Sequence, residues 1–73
     1  MAKIYEVLCD YFTDKHDKEN GIIAKTDILL ETEDEQEALN EYEYRKAQEG
    51  DLENVYMWVD VDGIGEPYKK VEA

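Results

Sequence analysis

Residues 54–62 read Asn-Val-Tyr-Met-Trp-Val-Asp-Val-Asp, and two kinds of side chain alternate along them. One set is aliphatic and uncharged and consists of Val55, Met57, Val59 and Val61. The other set is aromatic or acidic and consists of Tyr56, Trp58, Asp60 and Asp62. Alternation with a period of two is typical of a strand with one buried face. We therefore predict a strand over 54–62 whose aliphatic set faces the core, with Tyr56 and Trp58 facing away from it.

Two earlier segments have the same character. Residues 3–13 are rich in β-branched and aromatic types, and their uncharged alternate positions predict a core-facing set of Tyr5, Val7, Cys9 and Tyr11. Residues 22–31 predict a second strand with its even positions facing the core, namely Ile22, Ala24, Thr26, Ile28 and Leu30. The charged segment 14–21 lies between them and ends in Asn-Gly, which predicts an exposed hairpin loop.

A helix is predicted over about 33–49. Thr32 and Glu35 fit a capping box, and Gly50 is placed as the C-cap. The apolar stripe has spacings of three and four and consists of Ala38, Leu39 and Tyr42. Glu41 and Arg45 are spaced to pair on one face of the helix.

The predicted fold is a single α+β domain over residues 1–73. Its order is β-β-α-β, with one helix packed on one face of a small, mostly antiparallel sheet. Asp62-Gly63 predicts a turn after the third strand, and Pro67 suits the start of a short fourth strand over 68–71 at the edge of the sheet.

Composition limits the function. The 73 residues include 20 acids and 8 bases, a net charge of −12, which argues against nucleic acid or an anionic membrane as a direct partner. The 42% of hydrophobic residues is too high for a disordered acidic tail. No apolar run is long enough for a membrane span, and the single cysteine, Cys9, fits a reducing cytoplasmic setting.

The acids are concentrated around the predicted helix. Residues 31–53 hold 10 acids and 2 bases, a net charge of −8. One interpretation is a solvated helix face that keeps a small protein soluble. The other is a nucleic-acid mimic, because Glu33, Glu37 and Glu41 recur one turn apart at about 5–6 Å between Cβ atoms. Arg45 interrupts this row and counts against the second interpretation.

The face of the sheet turned away from the helix is the other candidate surface. One helix covers one face, so the opposite face is predicted to carry a patch of Leu8, Phe12, Ile23, Leu29, Tyr56 and Trp58. Acids are interleaved with this patch, which is typical of a protein interface or a homodimer contact. Two alternatives remain open at this point. The register can be reversed, so that Trp58 belongs to the core, or the patch can pack against the C-terminal segment.

Catalytic and metal signals are weak. His16 and Cys9 are the only residues of their kinds and lie in different predicted elements, whereas zinc sites usually recruit several such ligands. Residues 60–66 cluster oxygen ligands around a Gly-rich turn, but they lack the full calcium-loop pattern, and hairpin turn chemistry explains Asp62-Gly63. A domain of this size is also expected to have little room for a buried pocket of several hundred Å³. We predict no enzymatic activity, no cofactor and no metal.

Two predicted strands are followed by the acidic segment Thr-Glu-Asp-Glu-Gln-Glu-Ala-Leu at 32–39, a helix and the closing strand Val-Tyr-Met-Trp-Val-Asp-Val at 55–61. This pattern resembles small acidic accessory proteins of phages and bacterial mobile elements. The resemblance covers most of the chain. It implies a non-enzymatic protein, and some similar acidic proteins block host nucleic-acid-binding proteins.

These observations together predict a small acidic module that binds another protein, or a second copy of itself, through the aromatic sheet face and the acidic helix. The predicted contact residues are Leu8, Phe12, Leu29, Glu33, Glu37, Glu41, Tyr56 and Trp58. The alternative function is a nucleic-acid-mimicking inhibitor of a host DNA- or RNA-binding protein.

Overall fold

The computed structural model describes residues 2–68 and confirms the α+β fold. Its elements in chain order are β1 (Lys3–Tyr11), α1 (Lys15–Glu19), β2 (Lys25–Thr32), α2 (Glu35–Ala47), β3 (Glu53–Val61) and β4 (Ile64–Pro67). The strands form one sheet in the order β2-β1-β3-β4, and every neighbouring pair is antiparallel. Helix α2 packs against β1, β2 and β3.

The core lies between α2 and one face of the two central strands. It consists of Tyr5, Val7, Cys9, Ala38, Val55, Met57 and Val59, all of which are buried. Tyr11, Leu39, Tyr42 and Val61 are partly buried against this cluster. The predicted inward faces of the first and third strands are therefore confirmed, as is the apolar stripe of the helix.

The predicted phase of the second strand is wrong over most of its length. The strand begins at Lys25 rather than residue 22, so Ile22 and Ile23 lie in the preceding loop. The register with β1 shifts between Val7, which pairs with Leu30, and Leu8, which pairs with Ile28. One extra residue, Leu29, is bulged at this point, and a bulge moves the following side chains to the opposite face.

The bulge divides β2 into two halves. Leu30 faces the core as predicted, but Thr26 and Ile28 share the outer side of the sheet with their partners on β1. Leu29 is partly buried against the core cluster. A strict period-two reading of the sequence cannot detect this insertion.

Helix α2 and its N-cap begin two residues later than predicted. Asp34 is the N-cap, and its side chain accepts hydrogen bonds from the backbone N–H groups of Gln36 and Glu37. Thr32 Oγ1 instead accepts a hydrogen bond from the Asp34 backbone N–H. The helix ends at Ala47 with Gln48 as the C-cap, so the predicted cap at Gly50 is wrong.

The segment predicted as an exposed hairpin loop is exposed or half-buried but contains the short helix α1. Asp14 caps this helix by accepting a hydrogen bond from the Asp17 backbone N–H at 2.8 Å. Asp14 with Asp17 three residues later is the signal in the sequence that points to a helix start.

The turn after β3 is confirmed. Asp62 and Gly63 both have positive φ, at 53° and 87°, which is the conformation of a two-residue hairpin turn. The fourth strand follows this turn immediately at Ile64 and ends at Pro67, so Pro67 does not begin the strand as predicted. Of the predicted strand 68–71, Tyr68 follows β4, and residues 69–71 lie outside the described part of the chain.

Candidate functional site

The outer face of the sheet is the side turned away from α2. Its members follow from the strand register and alternate with the core residues. They are Ile4, Glu6, Leu8, Asp10, Thr26, Ile28, Glu31, Asn54, Tyr56, Trp58, Asp60, Gly65 and Pro67. Helix α1 packs against none of the strands, so neither described helix covers this face. The outward orientation predicted for Tyr56 and Trp58 is confirmed.

An apolar row crosses the outer face. Leu8 pairs with Ile28 on one side and with Tyr56 on the other. Ile28 is 58% exposed, although it lies in a strand at the level of the core. A large aliphatic side chain this exposed beside an aromatic ring is the kind of surface that partners bury.

Asp10 holds the Tyr56 side chain at one end of this row through a hydrogen bond. The carboxylate is 7% exposed, and its Oδ1 accepts hydrogen bonds from the Thr26 hydroxyl at 2.7 Å and the Tyr56 hydroxyl at 3.0 Å. Burial, together with the bond to Asp10, raises the pKa of Tyr56 to about 12. The tyrosine is therefore a neutral donor at physiological pH, and its ring is held in one place on the face.

A second row is acidic and aromatic. Glu6 pairs with Glu31 on β2 and with Trp58 on β3, and Trp58 in turn pairs with Pro67. Burial, followed by repulsion from Glu31 and Asp60, raises the pKa of Glu6. Like charges directly opposite one another across two strands are unfavourable.

The indole of Trp58 lies over the backbone of Gly65. A Cβ atom on Gly65 would fall inside the van der Waals radius of Trp58 Nε1. Glycine is therefore required here by the close approach of the ring, and the ring position depends on that glycine.

The Asp60 side chain is on the same face, and one of its carboxylate oxygens lacks a hydrogen-bond donor among the described residues. It pairs with Ile4 and Gly65 on the outer face. Its Oδ1 is buried and has no hydrogen-bond partner among the described residues. A buried acceptor without a donor is costly and calls for an explanation.

The edge of β3 beyond β4 is capped by other groups of this chain. The Tyr68 backbone N–H bonds Met57 O at 3.1 Å, and next along the edge Glu49 Oε2 accepts from the Val55 backbone N–H at 2.5 Å. Lys46 Nζ donates to Val55 O at 3.2 Å and to Glu49 Oε2 at 2.9 Å. The Tyr68 backbone and the Glu49 and Lys46 side chains occupy backbone groups of β3 that would otherwise pair with another chain.

The other edge is also unsuited to strand addition. Strand β2 carries the bulge at Leu29, which interrupts a regular run of edge groups. An ion pair between Lys25 and Asp27, at 3.5 Å, adds charge to the same strand. The bulge and the ion pair make β2 a poor template for an added strand.

The predicted aromatic patch is only partly assembled. Leu8, Tyr56 and Trp58 share the outer face as predicted. Phe12 follows the end of β1, where it is half-buried. Leu29 is wrong as a surface residue, because the bulge turns it toward the core, and Ile23 lies in a loop. Ile28, which the sequence placed in the core, takes the position on the outer face.

The predicted helical row of carboxylates is broken, and Glu33 lies before the N-cap Asp34, outside α2. Glu33 and Glu37 are exposed. Glu41, however, accepts a hydrogen bond from Arg45 Nε at 2.5 Å, which confirms the predicted pair. The bond to Glu41 raises the pKa of Arg45, so the third carboxylate of the row has its charge compensated.

A cleft of about 450 Å³ lies beside the closed edge, between α2 and the end of β4. Its lining includes Leu39, Tyr42, Met57, Pro67 and Tyr68. We expected little room for a pocket of this size. The space exists because β4 is short and the Tyr68 side chain extends from the sheet to the helix. Its hydroxyl donates a hydrogen bond to Glu35 at 2.7 Å. This bond, with burial, raises the pKa of Tyr68 to about 12.

The remaining candidate chemistry is sparse. Cys9 is buried, and burial is the main cause that raises the pKa of its thiol. Asp14, His16 and Asp17 bring one ligand atom each within 4.8 Å of one another. Helix capping by Asp14 accounts for this grouping. Asp60 and Glu66 lie on opposite faces of the sheet, so the acids of 60–66 do not converge.

Comparison of the chain with known protein families, curated proteins and solved structures found no match. The resemblance to accessory proteins of phages and mobile elements therefore stays a prediction. Within residues 2–68, neither helix is long and apolar enough to span a membrane.

Proposed function

We propose that this chain is a non-enzymatic protein-binding module that holds its partner against the outer face of the sheet. The observation that carries the proposal is the row of Ile28, Leu8 and Tyr56 on a face that neither described helix covers. Ile28 is 58% exposed at the centre of β2 and pairs with the half-buried Leu8, so the row is a continuous apolar area on this face.

The capped edge of β3 and the bulged edge strand β2 support the same proposal. Partners that add a strand need free backbone groups, and Glu49, Lys46 and Tyr68 occupy those of β3. A partner on the outer face would contact side chains instead. The module acts in a reducing compartment, the cytoplasm, as the single buried thiol of Cys9 suggests. We also propose that the chain is an accessory protein of a phage or a bacterial mobile element.

A matched pair of substitutions tests this surface. Ile28→Asp places a charge in the apolar row, and Ile64→Asp makes the same change at a residue that is 73% exposed on β4. Affinity capture from cell extract is expected to retain the same bound protein with the wild type and Ile64→Asp, and to lose it with Ile28→Asp. Sedimentation of the purified chain shows whether that protein is a second copy.

Two results would overturn the proposal. One is capture that Ile28→Asp leaves intact, and the other is a monomer that captures nothing. The alternative function, a nucleic-acid mimic on α2, has less support because Glu41 is paired with Arg45. It predicts that Glu33→Gln with Glu37→Gln, rather than Ile28→Asp, abolishes capture.

A further inference from the structure

We infer that the partner segment on the outer face is basic and extended, with arginine side chains that sit among Glu6, Glu31 and Asp60 beside Trp58. This inference rests on the proposed function, because it names the class of partner for the same surface. The argument begins with charge. All charged positions that face outward on the four strands are acidic, namely Glu6, Asp10, Glu31 and Asp60.

Three of these carboxylates form no ion pair with a described residue. Asp10 is satisfied by the hydroxyl groups of Thr26 and Tyr56. The ion pairs of the described residues involve Asp17, Asp27, Glu41 and Glu49, and none of them lies on the outer face. A positive partner therefore meets carboxylates that no described lysine or arginine has already neutralised.

The arrangement of these carboxylates is unfavourable in the isolated chain. Glu6 lies directly opposite Glu31, and Asp60 is close enough to add repulsion. Asp60 Oδ1 is buried with no donor among the described residues. A cationic donor among Glu6, Glu31 and Asp60 screens this repulsion.

Arginine fits this site better than lysine. Its guanidinium group is planar, presents five N–H donors and stacks on aromatic rings. Trp58 lies in the same row as Glu6 and is half-buried, so one ring face can receive the cation while the carboxylates accept its hydrogen bonds.

Charge also argues against a second copy on this face. Two outer faces in contact would bring two sets of Glu6, Glu31 and Asp60 together without a base between them. The same sign excludes nucleic acid as the occupant.

The spacing of the rows suggests the form of the segment. Along the strands, the rows of Asp60, of Glu6 with Trp58 and of Leu8 with Tyr56 follow one another at about 7 Å, two residues at the rise of a strand. An extended chain presents alternate side chains at the same interval. Arginine, arginine and an aliphatic residue at alternate positions therefore match the three rows.

The test uses the hexapeptide acetyl-Arg-Ser-Arg-Ser-Leu-Ser-amide and the same peptide with citrulline in place of both arginines. The ¹⁵N-labelled chain is titrated with each peptide by NMR. We expect shifts at the Trp58 indole and at the amides of Glu6, Glu31 and Asp60, and at least tenfold weaker binding of the citrulline peptide. Glu6→Gln with Glu31→Gln should weaken the arginine peptide at least tenfold.

The matched control is Glu33→Gln with Glu37→Gln, which removes the same charge at and just before the start of α2 and should leave the affinity within twofold. If both double variants lost the same affinity for the arginine peptide, net charge alone would explain the effect and the inference would be overturned. Equal binding of both peptides would overturn the basic partner but leave the outer face as a binding surface. Shifts confined to α2 would overturn this inference and the proposed function together. Shifts that depend on protein concentration alone would identify a second copy as the occupant.

Discussion

Glu49→Ala is predicted to destabilise the fold far more than its surface position suggests. The carboxylate accepts hydrogen bonds from the Val55 backbone N–H and from Lys46 Nζ, and it closes the edge of β3. Val55 is 4% exposed, so its N–H has no easy access to water once Glu49 is removed.

The magnitude follows from the two bonds. A hydrogen bond to a charged group contributes about 1.5–3 kcal/mol, and a largely exposed ion pair about 0.2–1 kcal/mol. Glu49 follows the C-cap of α2, so alanine gains no helix propensity there. We expect a loss of about 2–3 kcal/mol, which lowers the melting temperature of a domain this small by about 10–20 °C.

Glu41→Ala is the matched control on the same helix. It removes a carboxylate that bonds Arg45 only, which contributes about 0.3–0.5 kcal/mol in an i,i+4 pair, and alanine is the better helix former. Urea unfolding of the two variants at pH 7 should therefore differ by about 2 kcal/mol or more. Hydrogen exchange should show faster exchange of the Val55 amide in Glu49→Ala alone.

The same pair of bonds predicts a pH dependence. Burial alone would raise the pKa of Glu49, but the bonds from Lys46 and Val55 outweigh it, and the pKa lies below the ordinary value of 4.5. The ionised form therefore stabilises the folded state at neutral pH, and this contribution is lost as the pH falls through the lowered pKa. The gap between wild type and Glu49→Ala should shrink below pH 4.5. Equal stability of Glu49→Ala and Glu41→Ala at pH 7, with an unchanged Val55 amide, would refute the assignment of this edge cap.

Two further predictions concern the outer face. Glu6→Gln should stabilise the chain by about 0.2–1 kcal/mol in urea unfolding at pH 7, because the raised pKa shows that the ionised form is disfavoured in the fold. Glu66→Gln, on the opposite side of the sheet, is the control for net charge, and an equal gain there would contradict the repulsion. Gly65→Ala should displace the indole of Trp58, and so shift its emission and increase quenching by neutral acrylamide, while the circular dichroism of the sheet is retained. Unchanged emission would show that the ring does not rest on Gly65, and Gly50→Ala, next to Glu53 rather than Trp58, is the control.

The sequence predicts the central strands well because burial on one side imposes a strict alternation. Val55, Met57 and Val59 pair with Cys9, Val7 and Tyr5, and each strand confirms the phase of the other. Helix α2 is equally clear, since Ala38, Leu39 and Tyr42 form one stripe. A slip of one residue would reverse both faces, so these patterns carry strong information.

The second strand could not be predicted in the same way. Ile28, Leu29 and Leu30 are three consecutive aliphatic residues, and such a run is compatible with either phase. Only the pairing with β1 shows that Leu29 is the extra residue. The same error affects the candidate site. The sequence predicts Leu29 on the outer face, but the structure places Ile28 there, at the centre of the face. The edge cap was missed for a related reason: Glu49 and Val55 are brought together by tertiary packing, and nothing in their spacing marks the contact.

Among the described residues, the opposed carboxylates and the buried carboxylate oxygen without a donor lie on one surface. Elsewhere, local preferences agree with the fold: helix ends are capped, the core is uncharged, and the backbone of β3 is satisfied along its edge. On the outer face, Glu6 opposes Glu31, Asp60 keeps a buried oxygen without a described donor, and Ile28 lies in water. Two polar departures from local requirements that lie together on one face, beside an exposed apolar row, favour that face as the functional one. Because these departures are unpaired negative charge and uncovered apolar area, the partner that resolves them is a basic, partly apolar protein segment.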